Sequence, residues 1–161
     1  MANRIILDTH DQPFRMEGTA SEAITPGHLL EFVASGGDTG QLKKHATAGG
    51  NVADVLFAVE QDFFGKGIAD AYADADLVQY ARCGKGNRIL AWIVANGAAV
   101  VVGDKLESAG DGTLRKHTAQ EVDEAGSATV TVNAESIVAV ALEAKDNSAV
   151  ATAARLRVAI V

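Results

Sequence analysis

A passage in the first third of the chain returns in the last third, and this internal repeat constrains the fold more than any other feature. Pro26-Gly27-His28-Leu29-Leu30-Glu31, then Gly37-Asp38-Thr39-Gly40-Gln41-Leu42-Lys43-Lys44-His45, is matched by Val102-Gly103-Asp104-Lys105-Leu106-Glu107, then Gly110-Asp111-Gly112-Thr113-Leu114-Arg115-Lys116-His117. The separation falls only from 76 residues between Gly27 and Gly103 to 72 between His45 and His117. Each copy is followed by an apolar run that ends in glutamate, Val55 to Glu60 and Ile137 to Glu143. The unit therefore reads as glycine turn, strand, Gly/Asp turn, strand, loop, strand. Gly27, Gly37, Asp38, Gly103, Asp104, Gly110 and Asp111 are its structural turn residues, since glycine reaches positive φ without a Cβ clash and an aspartate beside it can bond its own backbone.

The segments between these turns have strand character. Leu156, Val158 and Ile160 alternate with Arg155 and Arg157, so the C-terminus predicts a strand with one wet face. Val78, Tyr80 and Arg82 alternate with Leu77, Gln79 and Ala81, whereas Ile89 to Val94 is apolar on both faces and suits a strand covered on both sides. The alanine-rich stretch Ile68 to Ala75 is the best helix candidate. Two copies of a three-strand unit can wrap into one small barrel or sandwich, which removes exposed edges. The expected fold is all-β, a small β-barrel or β-tulip-like domain over residues 23–161, with the repeat at about 26–60 and 102–143. Residues 1–22 are expected to form an extended N-terminal arm in which Arg4, Ile5, Ile6 and Leu7 make a β-prone cluster. Such an arm pairs with its own sheet or reaches for another chain. The acidic, small-residue stretch Ala119 to Ser127 reads as an exposed loop.

Composition decides how such a module holds together. The chain is 48% hydrophobic but only 5% aromatic, and its apolar content is largely alanine and valine, so each buried side chain removes little surface from water. Thin cores of this kind are supplemented by staples or by association. Cys83 is the only cysteine and has no intrachain partner, so it reads as a small buried hydrophobe and self-association becomes the expectation. A net charge of −7 without a basic stripe disfavours nucleic acid as a partner. The start of the chain lacks the pattern of a secretory signal, and the apolar run Ile89 to Val102 is interrupted at Asn96-Gly97, so neither export by that route nor a membrane partner is expected.

No motif carries bond-making chemistry. His45 and His117 follow Lys-Lys and Arg-Lys, a cationic setting unfavourable to a metal ion, and His10 and His28 have no Cys or His at ligand spacing. These histidines read as exposed. Asp70, Asp74 and Asp76 lack the alternation, the glycine and the closing glutamate of a calcium loop and read as a solvated acidic edge. Gly65-Lys66-Gly67 and Gly84-Lys85-Gly86 lack the remaining residues of a phosphate loop. No nucleophile elbow is present. The expectation is a protein with no catalytic residue, no cofactor and no metal.

Several runs together resemble the small capsid decoration, or cement, proteins of tailed bacteriophages: Ala71-Tyr72-Ala73-Asp74-Ala75-Asp76-Leu77-Val78-Gln79-Tyr80, Gly84 to Asn87, Ile93 to Leu106, and Ile137 to Glu143 followed by Arg155 to Val161. The resemblance covers about residues 20–161; one departure is Ala75, where glycine would be expected between the acidic residues. It implies a virion protein on the outer capsid surface, assembled in the host cytoplasm, that stabilises the head as a homo-oligomer, usually a trimer. It also implies that the major capsid protein is the partner, contacted by the arm through Arg4, Ile5, Ile6 and Leu7. Two other readings are open: a virion-surface module for glycans or a host surface, which would need Tyr72, Tyr80 or Trp92 exposed as a platform, and a tail or baseplate subunit.

Overall fold

The computed structural model describes residues 4–8, 13–118 and 136–161. Residues 9–12, His10 among them, and the expected acidic loop 119–127 lie outside the described residues. Eleven strands are described: β1 (Ile6–Asp8), β2 (Phe14–Thr19), β3 (Leu29–Phe32), β4 (Leu42–Lys44), β5 (Leu56–Ala58), β6 (Leu77–Arg82), β7 (Arg88–Ile93), β8 (Lys105–Ser108), β9 (Leu114–Lys116), β10 (Ile137–Ala141) and β11 (Ala154–Ile160). One turn of 3-10 helix, Asp62–Phe64, is the sole helical element among the described residues.

The strands form two sheets ordered β2-β6-β5-β3-β4 and β1-β7-β11-β10-β8-β9. Leaving out β1, the second order is the first with every strand number raised by five. The repeat is thus larger than the three strands visible in the sequence: β2 to β6 form one unit and β7 to β11 its counterpart. Registers agree in detail. Leu30 lies opposite Leu56 as Leu106 lies opposite Ala139, and Met16 opposite Tyr80 as Ile89 opposite Val158. Each sheet also closes in the same way, by a parallel contact between the end of its first strand and its third, Ala20 with Leu42 and Ile93 with Leu114. The second unit is a closed five-strand barrel with β1 laid on the outside edge of β7.

Successive residues of a strand point to opposite faces, and in the first unit the two faces serve different cores. Leu30, Leu56, Ala58, Val78 and Tyr80 pack together inside that unit. Their neighbours Leu29, Phe57, Val59, Ala81 and Cys83 pack with Ile89, Leu106, Leu114, Ala139, Leu156 and Val158 of the second. Main-chain bonds stitch the seam, including Leu29 N–H to Gly112 O at 2.8 Å and Gly49 N–H to Ser108 O at 2.9 Å.

Two expectations are corrected. Residues 14–19 are not part of an arm; they are β2, paired along their whole length with β6. Ile68 to Ala75 is not a helix. Tyr72 forms an antiparallel bridge with Ile24 and is buried, its hydroxyl donating to Val59 O at 2.7 Å, while the Asp70 and Asp76 carboxylates accept the Gly67 and Ala73 N–H groups and fold the flanking residues into turns. Aspartate competes with helix by bonding local backbone in this way, which outweighs the propensity of the four alanines in these eight residues.

Candidate association surface

The cluster Arg4 to Leu7 is held by the chain's own second unit. Ile5 is fully buried, its carbonyl accepting Leu90 N–H at 2.8 Å and its N–H donating to Glu60 Oε2 at 2.9 Å. Glu60 is itself fully buried and takes Arg15 Nη2 at 3.4 Å as its counter-ion. A buried carboxylate is tolerable when hydrogen-bonded and paired. Ile5 is therefore a core residue, not an external anchor, because the strand it would lend elsewhere already sits on β7.

Arg4, Ile6, Leu7 and Asp8 instead line one wall of an open groove of about 730 Å³ whose other wall is Pro13, Phe14 and Arg15. Phe14 is 75% exposed. Beside the groove, Arg4 reaches Asp62 at 4.0 Å, which places there the 3-10 turn carrying Phe63 and Phe64, 91% and 74% exposed. Exposed apolar residues scattered singly mean little, but among the described residues three of the chain's five phenylalanines are at least 74% exposed, Phe14 in the groove wall and Phe63 and Phe64 on the turn that Arg4 reaches. Sequence reasoning passed over Phe63 and Phe64; the pair of adjacent aromatics before Gly65 was the available signal.

The turn residues serve geometry. Gly27, Gly103 and Gly110 have φ of 96°, 90° and 93°. Gly37 lies in a turn, but the positive φ angles there belong to Gly36 and Gly40, so its glycine identity is not conformationally required. Asp104 and Asp111 accept the N–H groups of Val101 and Thr113, each at 2.9 Å, and the Asp38 carbonyl accepts Gln41 N–H at 2.9 Å.

Charged side chains follow the repeat as well. Glu31 faces Lys43 across β3 and β4 at 2.9 Å with His45 Nε2 at 3.6 Å; Glu107 faces Arg115 across β8 and β9 at 2.7 Å with His117 Nδ1 at 2.5 Å. His45 is not exposed as the sequence predicts. It is 3% exposed at the seam, its Nδ1 2.8 Å from Ser108 Oγ of the other unit. The Glu31, His45 and Ser108 arrangement has the residue types of a hydrolytic triad, but Ser108 is fully buried and its hydroxyl also accepts Gly110 N–H, so the hydroxyl is out of reach of a substrate and ties the units together.

Aromatic residues with a polar end are all engaged internally. Tyr72 and Tyr80 are buried. Trp92 donates to Pro26 O at 2.9 Å, and the Arg155 guanidinium lies 4.3 Å from its ring centroid while bonding Pro26 O and Ile68 O. None offers a bare ring face for a sugar. Burial raises the Cys83 thiol to about 12, as suits an inert core residue.

No family model matches this sequence, and no curated protein does. Among solved structures, the N base of the head fiber gp8.5 of bacteriophage phi29 has the same fold: the superposition covers 93% of this chain and 95% of that one with a TM-score of 0.53, at 15% sequence identity.

Proposed function

We propose that the chain is a structural, non-enzymatic protein of a tailed-phage virion that seats on the outer surface of the head and holds neighbouring major capsid protein subunits together. The observation that carries this reading is the end-to-end likeness in fold to a phage head fiber base. The groove between β1 and β2 and the aromatic turn beside it supply a contact face of the right kind. Phe63 and Phe64 would bury apolar area against the shell while Arg4 orients the contact, each term modest alone. An oligomer making several such contacts at once gains avidity, and binding only the assembled lattice shifts the equilibrium towards intact shell.

The test is to mix the purified chain with heads of the parent phage that lack it, image them and measure the temperature at which they release DNA. Added density on the outer surface and a raised release temperature are expected, and the double variant Phe63→Asp, Phe64→Asp loses both while melting like the wild type. Heads that stay bare and equally heat-labile at saturating protein would refute the proposal.

A further inference from the structure

The two units differ in what lies along the outer edge of the leading strand. On β7 that edge is fully used: Leu90 N–H donates to Ile5 O at 2.8 Å, Trp92 N–H to Gly27 O at 3.2 Å and Val94 N–H to Leu114 O at 2.9 Å. On β2, Ala20 N–H turns towards the β6 side, to Asp76 O, and Ser21 N–H to the other side, to Leu42 O, both at 2.8 Å. Because main-chain groups alternate between the two edges of a strand, Arg15, Glu17 and Thr19 direct their N–H and C=O groups outward. Among the described residues this edge has no strand partner, and all three residues are exposed. An open edge of this length is normally covered or guarded.

We propose that the edge is covered by β2 of a second copy of this chain, paired antiparallel about a two-fold axis through Met16. The strand reads Phe14-Arg15-Met16-Glu17-Gly18-Thr19, and in that register it is self-complementary. Arg15 lies opposite Glu17 of the second copy and Glu17 opposite its Arg15, so the two cross-strand pairs carry opposite charges on the solvent face. Arg15 spends one Nη2 contact on Glu60, and its guanidinium has further N–H groups for a second carboxylate; Glu17 accepts Gln79 Nε2 at 3.4 Å and keeps its other oxygen. The outward groups of Arg15 and Glu17 bond those of Glu17 and Arg15 of the second copy, and Thr19 N–H finds Pro13 O, so proline falls where no donor is called for. Such a contact is isologous and closes at two copies.

The pairing stands independently of head binding, so the test uses the purified full-length chain alone. Light scattering after size exclusion is expected to give the mass of two chains at micromolar concentration. Glu17→Arg sets arginine against arginine and is expected to raise the dimer dissociation constant at least about tenfold without lowering the helix-free circular dichroism or melting of the monomer. Registration is read by crosslinking: Met16→Cys sits on the axis, where a non-hydrogen-bonded pair brings Cα atoms to about 4.5 Å, and mild oxidation is expected to give a covalent dimer. Thr19→Cys, about 20 Å from its counterpart in this register, is expected to stay monomeric on a reducing-agent-free gel. A monomer, a trimer, a dimer indifferent to Glu17→Arg, or equal crosslinking at both positions overturns the proposal.

Discussion

His28 makes the structure's stability dependent on acidity in a defined window. Its ring packs near Trp92, with centroids 6.1 Å apart, and Nδ1 accepts Thr25 N–H at 3.1 Å, a bond only the unprotonated nitrogen can take. Burial, helped by the Lys44 charge, lowers its pKa from 6.5 to about 4. Above pH 6.5 the ring is neutral in folded and unfolded chains and contributes no pH dependence. As pH falls below 6.5 the unfolded chain takes up the proton and the folded chain does not, so stability declines until about pH 4 and then levels. The two pKa values give a loss of about 2 kcal/mol between pH 7 and pH 5. Urea unfolding at a series of pH values, on wild type and on His28→Asn, isolates it: Asn keeps an acceptor for Thr25 but does not titrate. Carboxylates contribute equally to both proteins, so the difference between the curves belongs to His28. Parallel curves from pH 7 to 4.5 would refute the burial argument.

Two backbone predictions accompany it. Gly27→Ala places a Cβ 2.9 Å from Leu90 O at φ 96°, whereas Gly103→Ala meets nothing within 4 Å at φ 90°. Both lose the left-handed preference, about 1–2 kcal/mol, and calorimetry is expected to show a distinctly larger drop in melting temperature for Gly27→Ala. Ala75 adopts φ 66° without being glycine, so Ala75→Gly is expected to stabilise by about 1 kcal/mol; an unchanged or lowered denaturation midpoint counts against that assignment.

The repeat was legible because its hairpins keep glycine, leucine and charge at fixed places: Glu31 with Lys43 and Glu107 with Arg115 are cross-strand partners in both units. Its full extent was hidden by solvation. β2 and β7 hold the same position, but among the described residues β2 has no strand on its outer edge and has exposed residues and reads Phe-Arg-Met-Glu-Gly-Thr, while β7 is covered by β1 and by the seam and reads Arg-Ile-Leu-Ala-Trp-Ile. Side-chain identity follows burial, so equivalent strands diverged beyond recognition by pattern. The arm misled for a related reason. Ile5 to Leu7 has the composition of a strand in any sheet, and only the placement of Glu60, a charge in an otherwise apolar run, shows that this chain receives it. The helix expectation over Ile68 to Ala75 counted alanines and gave too little weight to the aspartates between them.

Leu29 and Leu30, Leu56 and Phe57, and Tyr80 and Ala81 each divide between the two cores. Neither half can be loosened without exposing apolar surface that the other depends on, so damage to either core is felt by the whole molecule. Heating is expected to give one cooperative transition, and a chain cut between β6 and β7 to regain structure only when both fragments are present together. Two related units whose strand faces are divided in this way cannot separate without both losing their cores.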